Sequence, residues 1–161
     1  MLAGAVAINT RSVDSGEIAI ENSQVDNSVA INVKGGDVNV AIRNLQGLPI
    51  VGGFGSVGNV SIQTDKGDDQ VAVGPLEEGD FGLKATSVSV KTGAGNDSMA
   101  VDAVTADQAL LDFSAGDDTL SVGLANAIAS GTALGGAGND TYYGPWPVPG
   151  WTGDVWENVN P

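Results

Sequence analysis

The sequence predicts an all-β protein, a right-handed parallel β-helix (β-solenoid) with Gly-Asp turns stacked on one edge. Three observations lead there. Short segments alternate apolar and polar residues at period two, the pattern of half-buried strands. Helix-like composition is confined to 103–111 (AVTADQALL) and 123–130 (GLANAIAS). One turn pattern occurs four times: TDKGDDQVAV (64–73), TGAGNDSMAV (92–101), FSAGDDTLSV (113–122) and GGAGNDTYYG (135–144).

In chain order the alternating segments are EIAI (17–20), VAINV (29–33), VNVAI (38–42), VSI (60–62), VAV (71–73), SVSVK (87–91) and LSV (120–122). In each repeat Gly is followed by Asn or Asp and then by Asp69, Asp97, Asp118 or Asp140. Two residues after these aspartates stand Val71, Met99, Leu120 and Tyr142. Seven before them stand Ile62, Val90, Leu111 and Ala133, and nine before stand Val60, Val88, Ala109 and Gly131. These positions are expected to point inward from opposite walls. The key aspartates lie 28, 21 and 22 residues apart. A sandwich gives unlike strands at shorter intervals, whereas a repeat in the twenties indicates rungs that bury a common core only when stacked.

One domain is expected over 1–161. Residues 1–28 form an N-terminal rung or cap, 29–144 the repeat rungs, and 145–161 a Trp/Pro-rich cap or assembly segment, giving five or six rungs in all. Residues 29–42 fit the repeat with one residue deleted, a degenerate rung. Spare residues at 43–58, 74–86 and 102–108 fall on the side away from the Gly-Asp turn. The segment 142–156 holds all three Trp and both Tyr, side chains suited to covering an open sheet edge.

Composition narrows the function. Twenty acidic residues against six basic ones leave a formal charge of −14. Nucleic acids and anionic membranes need clustered Lys and Arg, so neither is an expected partner. No apolar run is long enough to span a bilayer. The start, MLAGAVAINTR, has no basic n-region and does not read as a secretory signal. There is no Cys to form disulfides and no His to act as general base or transition-metal ligand. Parallel β-helices do carry polysaccharide lyases and hydrolases, an alternative that rests on fold analogy alone. Arg11, Arg43 and Lys84 are isolated and lie outside the repeat turns, so acid–base chemistry has no visible centre and the chain is not expected to be an enzyme. An ice-binding array of Thr fails as well: Thr64 and Thr92 align, but Phe113 and Gly135 replace them.

Glycine lets backbone carbonyls converge from a tight turn. Stacked turns bring carboxylates into a column, where they repel. A hard dication relieves this, because Ca²⁺ accepts six to eight oxygens from carboxylates and carbonyls. No basic ladder is available to do the same job, since only Lys66 and Lys91 lie near. Asp68, Asn96, Asp117 and Asn139 suit the turn itself, since Asn and Asp tolerate left-handed backbone and bond their own chain.

GGAGNDTYY (135–143) matches every fixed position of the nonapeptide G-G-x-G-x-D-x-U-x, and this part of the chain resembles the RTX (repeats-in-toxin) proteins, whose parallel β-rolls bind calcium. In that family the motif's Asp and its turn carbonyls coordinate calcium between successive turns. The resemblance implies calcium ligands at Gly135, Gly136, Gly138 and Asp140 in the full copy. It implies Gly93, Gly95 and Asp97 in the second, Gly116 and Asp118 in the third, and Gly67 and Asp69 in the first. Thr92, Phe113–Ser114 and Thr64–Asp65 stand where leading glycines would be. The resemblance covers residues 60–144 and implies a wider, less regular solenoid with sites on one edge.

The function expected is a calcium-stabilised extracellular structural protein, a solenoid subunit or stalk that assembles end to end through its terminal segments into a filament or surface layer. The alternative is a module of a secreted adhesin that binds a carbohydrate or surface protein. Low cytosolic calcium would leave weak sites empty, so such a chain would fold on export. That logic, with the resemblance and the Cys-free composition, places it outside the cell, secreted or on the surface, of a bacterium.

Overall fold

The chain is described by a computed structural model over residues 4–11, 13–47, 49–50, 53–75, 82–145, 151–153 and 158–160. Its regular structure is all β. In chain order the strands are β1 (Val6–Asn9), β2 (Val13–Gln24), β3 (Ser28–Asn32), β4 (Gly35–Gln46), β5 (Pro49–Ile50) and β6 (Gly53–Phe54). Next come β7 (Val57–Gln63), β8 (Gln70–Gly74), β9 (Leu83–Lys91), β10 (Ser98–Val101) and β11 (Val104–Asp112). The last are β12 (Thr119–Val122), β13 (Ala127–Leu134), β14 (Thr141–Tyr143), β15 (Trp151–Gly153) and β16 (Asn158–Asn160). Apart from the small antiparallel pair β5–β6, all belong to one 14-stranded sheet with parallel pairing.

The pairing falls into two columns. Odd strands stack as β1, β3, β7, β9, β11, β13 and β15. Even strands stack as β2, β4, β8, β10, β12, β14 and β16. One strand of each column makes a rung. Two facing parallel columns are consistent with a β-solenoid, and period-two alternation sends every second side chain between them. Val60, Val88, Ala109, Ile62, Val90 and Leu111 are buried from one side, and Val71, Met99, Leu120 and Tyr142 from the other. All the inward positions read from the repeats are buried, Ala133 and Gly131 included.

Three details differ from expectation. Among the described residues each column holds seven strands rather than the five or six rungs expected, and the first rung was hidden because Gly16 stands at its inner position, where later rungs carry aspartate. The second rung has no deletion: Ile31 pairs with Ile62 and Val40 with Val71, so both turns are equally long and Val38 takes the place of Asp69. The helix-like segments are not helical: 104–111 belongs to β11, and of 123–130 the first half is a turn at 124–125 and the second half, 127–130, opens β13. Ala106 and Ala109 pair with Ala85 and Val88 of β9, and Leu111, which pairs with Val90, pairs in turn with Ala133 of β13, so pairing across the stack overrides local propensity.

The spare residues are also partly structured. Leu83–Ala85 pair with Val104–Ala106, and Thr105–Ala106 pair with Ala127–Ile128; pairing skips Thr86 and Asp107 and resumes in the same register at Ser87 and Gln108. Leu45, Val57, Leu83 and Val104 bury this extra segment. Most of 145–161, read as a cap, lies outside the described residues; β15 and β16 extend the two columns by one rung.

The register makes a sharp prediction about neighbours. Leu111 is fully buried, while Leu110 is 41 % exposed on the outer face. Leu111→Ala is expected to cost about 2–5 kcal/mol and Leu110→Ala to stay within about 0.5 kcal/mol, as read from urea unfolding midpoints. Equal losses at both positions would contradict the strand register.

Candidate functional site: a carboxylate ladder between rungs

Between the two columns the chain turns through 64–69, 92–97, 113–118 and 135–140. Parallel bridges join Lys66 to Ala94, Ala94 to Ala115 and Ala115 to Ala137. Beyond each bridge the strand geometry ends, and the next backbone amides need other acceptors.

Side chains supply them in two files. In the inner file, Asp97 Oδ1 accepts the amide of Asp69 at 2.8 Å, Asp118 Oδ1 that of Asp97 at 2.8 Å, and Asp140 Oδ1 that of Asp118 at 3.0 Å. Asp69 Oδ1 accepts the amide of Val38 at 2.9 Å. In the outer file the direction reverses. Asp37, Asp68, Asn96 and Asp117 accept the amides of Asp68, Asn96, Asp117 and Asn139 at 2.8–3.0 Å. Over the two files together, an interior rung such as that of Asn96 and Asp97 therefore gives a hydrogen bond to, and takes one from, each of its two neighbours.

Glycines make the close stacking possible. Gly95 and Gly116 have φ of 142° and 146°, and a Cβ on either would overlap the carbonyl of the glycine one rung earlier, Gly67 or Gly95. Gly138 stands in the same relation to Gly116. Gly93 lies over the Asp65 carbonyl and Gly136 over that of Ser114. At Gly135 a Cβ would meet Asp140 Oδ2.

The four inner aspartates are 1–3 % exposed. The second carboxylate oxygen, Oδ2, of Asp69, Asp97 and Asp118 is buried without a hydrogen-bond partner. Burial is the main cause that raises the pKa of all three. The residue five places earlier grades the effect. Thr64 and Thr92 lie beside Asp69 and Asp97 and oppose the rise, although Thr64 Oγ1 finds no hydrogen bond of normal geometry. Register puts Phe113 in this place in the next rung. There the Asp118 carboxyl, opposed only by the Asp97 amide and facing Asp97, Asp140 and Asp117, is pushed up to about 7.

The structure thus brings all the predicted aspartates and glycines into one file of rungs. It does not gather the carboxylates at a point: among the described residues no three acidic side chains converge as a metal-holding group. The donor chemistry, buried carboxylate oxygens lacking a hydrogen-bond partner, is the hard-oxygen type that suits a hard cation. Sequence reasoning missed Asp37, which heads the outer file, and Val38, whose amide ends the inner one. The signal was present: Gly36-Asp37-Val38 aligns with Gly67-Asp68-Asp69 when no residue is deleted.

The raised pKa values give a pH dependence with a definite sign. Burial pushes the Asp118 carboxyl up to about 7 in the folded chain, against 3.8 for the free side chain. Between these limits the folded state binds the extra proton, so stability is greatest on the acid side and falls as pH rises towards 7. Asp118→Asn keeps an acceptor for the Asp97 amide and cannot ionise. Its melting temperature is expected to fall less steeply than wild type over this range and to match or exceed wild type near pH 7.5. Parallel pH profiles would refute the burial of an ionisable carboxyl here.

No helix among the described residues is long and apolar enough to cross a membrane. No protein-family model, curated protein or solved structure matches the chain.

Proposed function

We propose that the protein is an extracellular structural protein: a right-handed parallel β-solenoid, calcium-stabilised along a single edge of Gly-Asp turns, whose subunits assemble end to end into a filament or surface layer. The right hand follows the strong preference of parallel crossover connections. The observation that carries the metal reading is the file of buried carboxylate oxygens on Asp69, Asp97 and Asp118 with no partner. Leaving such atoms bare in an apolar interior is costly. The ligands would be these carboxylates with Asp140, and carbonyls of the turns that contain Gly67, Gly93, Gly95, Gly116, Gly135, Gly136 and Gly138. A bound dication supplies the positive charge that six basic residues in the whole chain do not. Dependence on calcium suits a chain that folds outside the cell, and non-closing contacts between unlike ends make filaments.

The Oδ1 ladder favours a second reading, in which the turns hold themselves together without metal. Thermal melts followed by circular dichroism, in calcium and then in excess EGTA, separate the two. Calcium at a hundredfold excess over its Kd contributes about 2.7 kcal/mol per site, or roughly 5–10 °C for a chain of this size. Asp97→Asn is the informative variant, because it keeps the acceptor for the Asp69 amide and removes the charge. It is expected to lose much of the calcium increment while melting near wild type in EGTA. Identical wild-type melts in both buffers would end the metal reading and leave a self-sufficient ladder.

A further inference from the structure

The inner aspartates are not alone in carrying a bare oxygen. Thr64 is 3 % exposed, and its Oγ1 is buried without a hydrogen-bond partner. It lies beside the carboxyl of Asp69, whose Oδ1 accepts the Val38 amide and whose Oδ2 is equally without a partner. The threonine one rung on is satisfied: Thr92 Oγ1 donates to the Phe113 carbonyl at 3.3 Å. The acceptor that would correspond for Thr64 is the Thr92 carbonyl, and Ser114 Oγ donates to it at 3.2 Å. Thr10 Oγ1 is bare as well, but the inner position of its rung is Gly16, so no inner carboxylate accompanies it. Among the described residues the third rung alone sets a bare hydroxyl beside a bare carboxylate oxygen.

This rung also has an acidic approach. An open groove of 490 Å³ is lined by Glu17, Asp37 and Asp68, with Ser15, Asn39 and Gln70. Asp68 and Gln70 flank Asp69 in the chain, and the charges of Asp37 and Asp68 act on its carboxyl. Among the described residues no Lys or Arg lines the groove, and Lys66, on the same turn, is exposed outside it. A cleft lined by one sign of charge concentrates the opposite ion.

We infer that Thr64 is a cation ligand, its Oγ1 joining Asp69 Oδ2 on a hard divalent ion held at the third rung, and that the acidic groove of Asp37 and Asp68 admits that ion. The inference rests on the calcium reading above and adds the place along the ladder and the uncharged side chain that selects it. A hydroxyl oxygen is a hard, neutral donor, and turn carbonyls and water would complete the six to eight oxygens that calcium takes. Register puts Val33 in the Thr64 position one rung earlier and Phe113 two rungs later, where the side chain brings no oxygen at all. The sites of the ladder are therefore unequal, and the third rung fills first.

The test uses the full chain, with calcium titrated by isothermal calorimetry and melting followed by circular dichroism in calcium and in EGTA. Thr64→Val keeps a shape that Val33 already fills in the neighbouring rung and removes the oxygen. It is expected to weaken the tightest calcium binding by about tenfold or more while melting near wild type in EGTA. Thr64→Ala, which also lacks the oxygen, is expected to lose the same binding. Thr64→Ser retains the hydroxyl and is expected to bind calcium like wild type. Thr92→Val is expected to keep the tightest binding and to melt lower by the same amount in both buffers, because its hydroxyl serves the Phe113 carbonyl. Calcium binding by Thr64→Val at the wild-type level would overturn the inference and leave the calcium reading standing. So would an equal fall of its melting temperature in both buffers, which would make the hydroxyl a hydrogen-bond donor to Asp69. Equal loss of affinity in Thr64→Val and Thr92→Val would overturn the placement at the third rung. A wild-type chain that binds no calcium would remove the calcium reading and this inference together.

Discussion

Backbone amides that leave a strand must still find acceptors, and this requirement organises the turn side of the molecule. Within the columns each amide meets a carbonyl one rung away. At Asp69, Asp97 and Asp118 the chain bends and the amides meet carboxylate oxygens instead, while the outer Asx residues accept in the opposite direction. A one-residue slip would break both files and turn the apolar face outward. The turn is therefore of one length in every rung that has the ladder. Steps between rungs of 31, 28, 21 and 22 residues are absorbed elsewhere, in segments that include the β5–β6 pair.

The same device creates the electrostatic problem of the fold. An aspartate that reaches the next amide with Oδ1 carries Oδ2 into the interior, and stacking repeats this in adjacent rungs. Thr64 and Thr92 soften the burial, and Phe113 does not, which is why Asp118 is the most perturbed of the three. A neutral carboxyl and a carboxylate with a cation are two physical answers to one arrangement. A proton and a bound cation would compete for the same oxygens, so any calcium uptake there would release protons.

What the sequence made legible follows from where its signals reside. Alternation located the inward residues because period two is enforced by the pleat, and Val60, Met99 and Leu120 could be placed from spacing alone. The inner aspartates stood out because an apolar environment tolerates them only in a recurring role. Rungs without that acceptor were hidden: Ser15 and Gly16 align with Asp37 and Val38, and nothing in them announces a turn. The strands β11 and β13 were obscured for another reason. Alanine favours helix locally, and only the partner strand in β9 reveals that Ala106 and Ala109 face the interior. The two hydrogen-bond directions could not be read at all, since a Gly-Asn-Asp string is compatible with any tight turn.

Those directions give the stack a chemical polarity. The inner position is Gly16 in the first rung and Val38 in the second, and becomes aspartate only from the third rung onward. Buried carboxylates thus accumulate along the axis from Asp69 to Asp140. The cations stop at Lys91, and the two that share a groove, Arg11 and Lys34, occupy the rungs that have no inner carboxylate. A solenoid with identical rungs would have ends that differ only in strand edge, and it could join either way up. Here the side chains that satisfy the turns make successive rungs unlike, so the hydrogen-bonding demand of the fold also gives the stack an axis along which buried carboxyl groups accumulate.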